Sequence, residues 1–176
     1  MDNNSIDIII TVPHSLCLHT YRDCDMLAKK AGTLLYKGLK EKHNTIIMFS
    51  NVHRTKLDLN REESRQSSFR EELRILLKEE NVKMLLDVHS FPNRSLPGEI
   101  TFLVFNVNNF VYRLTTWLLQ NNIDVNIVTA SKVNDIILEA EHNNIKQLLI
   151  EFNESLTDER LKFIIDKMIQ IFNILI

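Results

Sequence analysis

The stretch "LLDVHSFP" (85–92) runs apolar residues up to an aspartate and a histidine and then stops at a proline. It continues "KM" into a run, "KMLLDVH" (83–89), whose near-continuous hydrophobicity suits a strand covered on both faces. Asp87 and His89 then stand where that strand leaves the core. Five more runs share this character: "IDIIITV" (6–12), "TIIMFS" (45–50), "ITFLVF" (100–105), "DVNIVT" (124–129) and "KQLLIEF" (146–152).

Between these runs the spacing predicts helices at roughly 22–42, 62–80, 107–121, 132–143 and 157–175. In the second, Phe69, Leu73, Leu76 and Leu77 recur at helical spacing, while Arg70, Glu71, Arg74 and Lys78 fall away from that stripe. In the last, Leu161, Ile164, Ile165, Met168, Phe172 and Leu175 form the stripe, with Thr157 as the cap and Asp158 and Glu159 behind it. Strand alternating with helix predicts an α/β three-layer sandwich, a mixed and mostly parallel central sheet with helices on both faces. Functional groups in such folds gather beyond the carboxyl ends of the strands.

The chain has 176 residues, 44% of them hydrophobic and 25% charged, with a formal net charge of −2. That is the make-up of one globular domain, expected over 1–176, whose core needs no staple. Its Lys and Arg residues are spread along the chain, which argues against nucleic acid or an anionic membrane surface as partner. No apolar run approaches the ~20 residues of a membrane helix. The start "MDNNSIDIIITVPHS" lacks a basic region and does not read as a signal peptide. The two cysteines, Cys17 and Cys24, argue against a disulfide framework and for a reducing, cytoplasmic setting.

Three strand ends carry unusual chemistry. His14 follows the first strand, His89 closes the third, and Glu151 follows three aliphatic residues in the sixth. After the second strand comes "NVHRTKLDLNR" (51–61), with Arg54, Asp58, Asn60 and Arg61 within eight positions. Each has an ordinary structural role open to it: a hydrogen-bonded histidine, a glutamate paired with an arginine, an Asp-capped turn. Together they place two imidazoles and several acids at one sheet edge, and such acids are costly to bury without compensation. A divalent cation compensates them well. Zinc takes histidine nitrogen and carboxylate oxygen, with three protein ligands and an open position in catalytic sites. His14 and His89 supply two. The third is an acid or thiolate nearby, with Cys17, Asp23 and Asp25 as the candidates. No "HExxH" helix, phosphate-binding glycine loop, "GxSxG" elbow or CxxC pair occurs. His19, His43, His53 and His142 fit no ligand pattern, with His53 set apart only by adjoining Arg54.

In order along the chain, "VPHS" (12–15), Asp25 in "RDCDMLAKKAG" (22–32), "HRTKLDLNR" (53–61), "DVHSFP" (87–92) and "LIEFNESL" (149–156) resemble the N-formylglutamate amidohydrolase family. That family is related in fold to the zinc carboxypeptidases and the aspartoacylase-type deacylases. The resemblance implies one Zn2+ held by His14, His89 and, as first choice, Asp25. The related carboxypeptidases carry a glutamate where Cys17 stands, which keeps Cys17 open beside Asp23. It also implies Glu151 as the catalytic glutamate, Arg54 near the reacting carbonyl, and Asn60 with Arg61 on a substrate carboxylate. The implied activity is zinc-dependent hydrolysis of a linear amide in a small carboxylate-bearing molecule, an N-acyl amino acid or a short peptide. The alternatives are a carboxypeptidase-like peptidase and a metal-binding relative without activity. Asp87 is a candidate to receive the second ring N–H of a ligand histidine, and Asp58 to brace Arg54 or cap a turn. The chain departs from the family at Leu16 and Asn153, where the family has glycine and arginine. One helix replaces its long insertion between "DxNR" and "HSF".

Overall fold

The structure, a computed structural model, describes residues 5–17, 24–92 and 95–176. Six strands form one sheet: β1 (Ile8–Val12), β2 (Thr45–Phe49), β3 (Met84–Phe91), β4 (Ile100–Val104), β5 (Val125–Thr129) and β6 (Lys146–Asn153). Their order is β2-β1-β3-β6-β4-β5. The first four in that order run parallel, while β4 lies antiparallel to β6 and parallel to β5. Five helices connect them: α1 (Ala28–Leu39), α2 (Ser68–Leu76), α3 (Asn109–Gln120), α4 (Asp135–His142) and α5 (Asp158–Leu175).

Both faces of the sheet are covered, which is why the strands read as continuous apolar runs. Ile8, Ile10 and Val12 of β1 pack with Leu86, Val88, Ile150 and Phe152 against α1, α3 and α5. Ile9, Leu85 and Leu149 point the other way, toward Phe69 and Leu73 of α2 and Ile136 and Ile137 of α4. With a period of two along each strand, Thr11, Asp87, His89 and Glu151 continue that second face at the carboxyl ends. The chain leaves β1 toward β2 on one side and returns to β3 on the other, opening a crevice between the ends of β1 and β3. His14 and His89 border it. Helix α1 can lie close over β1 because residue 32 is glycine: a Cβ there would meet Val12 Cγ2 at 2.7 Å.

The six strands agree with the sequence expectation, and the helices require corrections. The first helix begins at Ala28 rather than at 22, so Asp25 stands in the turn before it. The pattern at 62–80 divides into a 3-10 turn (Glu62–Ser64) and α2. Ser64 Oγ donates to the carbonyls of Leu59 (2.9 Å) and Arg61 (2.7 Å), which ends the first turn, and Ser67 accepts from the backbone N–H of Arg70 to start the helix anew. Thr157 caps α5 as expected, accepting from the N–H of Arg160. Arg70, expected off the apolar stripe of its helix, is wholly buried. Cys17 and Cys24 are joined in a disulfide with Cα atoms 5.2 Å apart, contrary to the expectation, and the cysteine-based argument for a reducing compartment loses its footing. Among the described residues no helix is long and apolar enough to cross a membrane.

Candidate metal centre

His14, Asp25 and His89 are all buried and together form a triad able to coordinate a metal ion. The two rings stand 5.1 Å apart, edge to face. His14 Nδ1 lies 3.2 Å and His89 Nδ1 2.8 Å from the same oxygen, Asp25 Oδ2. The far nitrogens face carboxylates of their own: His14 Nε2 lies 2.9 Å from Asp58 Oδ1, and His89 Nε2 3.0 Å from Asp87 Oδ2. Every ring nitrogen thus looks at a carboxylate oxygen, whereas a neutral imidazole has only one N–H to give. If Nε2 donates in both rings, two Nδ1 lone pairs and one carboxylate oxygen converge on a single point. Tetrahedral zinc, with bonds of about 2.0–2.1 Å, spaces its donors by roughly 3.4 Å. The donor set therefore suits a zinc ion, its three ligand atoms all lying within 4.8 Å of one another.

Backbone contacts hold Asp25 at this point. Its N–H donates to the His14 carbonyl, 3.2 Å away, tying the turn to the end of β1. Leu27, at the cap of α1, offers no side-chain cap. Strand ends supply the missing acceptors instead: Leu27 N–H donates to Ser90 Oγ (3.1 Å) and Met26 N–H to Glu154 Oε1 (2.9 Å), while Ser90 Oγ donates to that same Glu154 oxygen (2.8 Å). The Cys17–Cys24 bond ties the residue before Asp25 to Cys17, three residues after His14.

Asp58 is a hub. Besides His14 it accepts from the N–H of Asn60 at 3.1 Å, and its Oδ2 lies 3.5 Å from Arg61 Nε and 3.8 Å from Arg54 Nε. Arg54 also reaches Asp25 Oδ1 at 3.5 Å. Asp87 is fully buried and is satisfied by Thr11 Oγ1 (2.7 Å) and Asn134 Nδ2 (2.6 Å) as well as His89. Burial disfavours ionisation at Asp25, Asp58 and Asp87, yet hydrogen bonds and charge from the imidazoles outweigh it, and all three are held below the usual carboxylate range. For His89 the carboxylates outweigh burial and raise its pKa well above the ordinary value. Glu151 goes the other way. Burial first, then the charges of Asp25 and Asp87, push its carboxyl up to about 7.

Asp25, Arg54, Asp58, Asn60, Arg61 and Glu151 line one cavity of about 450 Å³ together with both histidines. Leu103, Val133 and Leu149 give it an apolar wall. Among the described residues no cation pairs with Glu151, so the ordinary reading of an arginine-paired glutamate does not hold. Cys17 has no thiolate to offer while it is bonded to Cys24. Asp23 and His19 lie outside the described residues. His53 is buried, with Nδ1 on Thr55 Oγ1 (2.8 Å), and does not line the cavity. His43 bonds Asn173, and His142 lies in the last turn of α4. Thr11, Asn134 and Glu154, which hold Asp87 and the turn at Asp25, were not singled out in the sequence. Asn134 carries the one legible signal, as a capping residue before a helical pattern.

No protein family is matched by the chain's sequence, and no curated protein matches it either. Solved structures do match in fold. Gene product Atu2144 of Agrobacterium tumefaciens superposes with a TM-score of 0.70 at 12% identity, over 96% of this chain and 89% of that one. An N-formylglutamate amidohydrolase from Ralstonia eutropha gives 0.63 at 11% identity, over 94% and 91%. An N-acetylmuramoyl-L-alanine amidase from Clostridium difficile gives 0.62 at 12% identity, over 98% and 97%. The likeness is one of fold. At 11–12% identity it does not reach a particular family.

Proposed function

We propose that this chain is a zinc-dependent hydrolase that cleaves the amide bond of a small carboxylate-bearing substrate, an N-acyl amino acid or a short peptide. The observation that carries the proposal is the convergence of His14 Nδ1 and His89 Nδ1 on one Asp25 oxygen, beside a half-buried carboxyl with a pKa raised to about 7. His14, His89 and Asp25 would hold the ion. Zinc bound there supplies a Lewis acid for the carbonyl and makes a nearby water easier to deprotonate. The chain's own groups do the rest. Glu151 accepts the proton of the attacking water and returns it to the leaving amine, work suited to a carboxyl whose pKa lies near the working pH. Arg54, at the cavity rim, faces the negative charge that develops on the carbonyl oxygen. Arg61 offers its fork to a substrate carboxylate, and the Asn60 side-chain NH2 donates to the same group.

A cavity of about 450 Å³ has room for a dipeptide as well as for a formylated amino acid. This supports the short-peptide reading as the second choice. A panel of N-acyl amino acids and dipeptides, assayed with zinc-loaded protein, tests both. Release of free amine from one class, lost in Glu151→Gln, is the expected result. Full zinc occupancy without turnover of any amide would leave a metal-binding relative and overturn the hydrolase.

A further inference from the structure

Arg70 is a cation with no exposed surface, in a helix whose apolar stripe excludes it. A buried guanidinium is tolerated only when its donors are met, and here all five are. Nε donates to Glu139 Oε2 (3.3 Å). Nη1 donates to the Leu59 carbonyl (2.9 Å) and Ser64 Oγ (3.3 Å). Nη2 donates to Glu139 Oε1 (2.6 Å) and the Asp135 carbonyl (3.0 Å). The fork therefore joins three parts of the chain: its own helix α2, the first turns of α4, and the loop at Leu59.

What it joins is the support of both imidazoles. Leu59 stands between Asp58, which faces His14 Nε2, and Asn60, the loop's tie to α4. From the α4 side, Asp135 N–H donates to the Asn60 carbonyl (3.2 Å), and Asn134 Nδ2 holds Asp87, which faces His89 Nε2. The start of α4 and the loop thus carry the outer partners of the two histidines, and Arg70 clamps one to the other. We infer that Arg70 is a positioning residue, whose buried guanidinium sets Asp58 against His14 and, through Asn134, Asp87 against His89 without touching the site itself. A lysine keeps the charge but brings three donors on a single point, which cannot span Leu59, Asp135 and Glu139 together. Partners of this outer kind are typically worth about 10–100-fold in metal affinity.

The inference rests on the proposed zinc site for one of its two readouts only. In metal-free protein, amide hydrogen exchange is followed at Asn60, Arg61 and Ser64, whose N–H groups are bonded within the loop, and at Val88 in β3 as reference. Zinc affinity is then measured by competition with a chromophoric chelator. Arg70→Lys is expected to speed exchange at the loop about 10-fold or more, leave Val88 unchanged, and weaken zinc by about 10–100-fold. Leu118→Ala, a core truncation on the opposite face, lowers the thermal midpoint as a control and is expected to produce neither selective effect. Glu139→Gln, which loosens the far side of the fork, is expected to give a milder version of the Arg70→Lys pattern and decides the matter if the latter does not fold. Exchange in the loop unchanged in these variants, or reproduced by Leu118→Ala, overturns the role assigned to Arg70. Wild-type protein that binds no zinc overturns the metal reading, and the exchange pattern then judges Arg70 by itself.

Discussion

His89 and Glu151 are register partners across the parallel ladder of β3 and β6, so the imidazole and the carboxyl leave the sheet side by side on the face covered by α2 and α4. The surroundings treat the acids of this face unequally. Asp25, Asp58 and Asp87 are held ionised by the histidines they touch, while Glu151 touches no cation among the described residues and is held near neutrality by burial. Carboxyl groups driven apart in this way divide into those that bind and one that can exchange a proton.

Glu151→Gln keeps the shape of the side chain and removes its proton chemistry. Zinc content is expected to stay at the wild-type level while turnover falls by about 10²–10⁴-fold, the usual worth of a general base. Turnover within a few-fold of wild type removes Glu151 from the reaction.

The same substitution has a pH-dependent effect on stability. Folding raises the Glu151 carboxyl from its ordinary 4.5 to about 7, so across that window the folded chain keeps a proton that the unfolded chain gives up. Stability contributed by this group is therefore full below the lower value and declines as pH rises to the upper one. In metal-free protein Glu151→Gln should raise stability by roughly 1–3 kcal/mol at pH 8 and leave it near wild type at pH 4.5. Denaturant titrations at the two pH values check this, and an equal change at both contradicts the assignment.

Asp58 and Asp87 each face the outer nitrogen of one histidine. Asp58→Asn and Asp87→Asn should each weaken zinc by about 10–100-fold while the three proposed ligands remain. Chelator competition reads the difference. Affinity equal to wild type in both variants would mean that the rings are oriented without them.

Arg61 extends two-thirds exposed from the rim, and among the described residues its ion pair in the site is with Asp58. Loss of its fork should act on binding: Arg61→Ala is expected to raise KM by about 10-fold or more with kcat nearly kept, as for a charge-assisted hydrogen bond worth about 1.5–3 kcal/mol. A fall in kcat with KM unchanged would assign Arg61 to the transition state instead.

The fold was legible because the central strands β1 and β3 are buried along their whole length and β6 through its middle, so their apolar runs continue almost to the carboxyl ends. The polar residues at those ends were the site: Asp87, His89 and Glu151 sit where the covered strands open into the crevice. Helix boundaries were less visible. Asp25 lies outside α1 because acceptors from Ser90 and Glu154 meet its first N–H groups, and these lie 63 and 128 residues away. The same distance hid the ties of Asn134 to Asp87, separated by 47 residues, and of Arg70 to Glu139, separated by 69. A helical pattern assigns a charged side chain to water, and only the packed structure reveals a full set of partners inside.

The most direct measurement is the metal content of the purified chain, by elemental analysis after exhaustive dialysis against metal-free buffer with stoichiometric zinc restored. The account predicts one tightly held zinc per chain in the wild type and in Glu151→Gln, and none in His89→Ala. Zinc absent from the wild type, or retained at one per chain without the imidazole of residue 89, contradicts it.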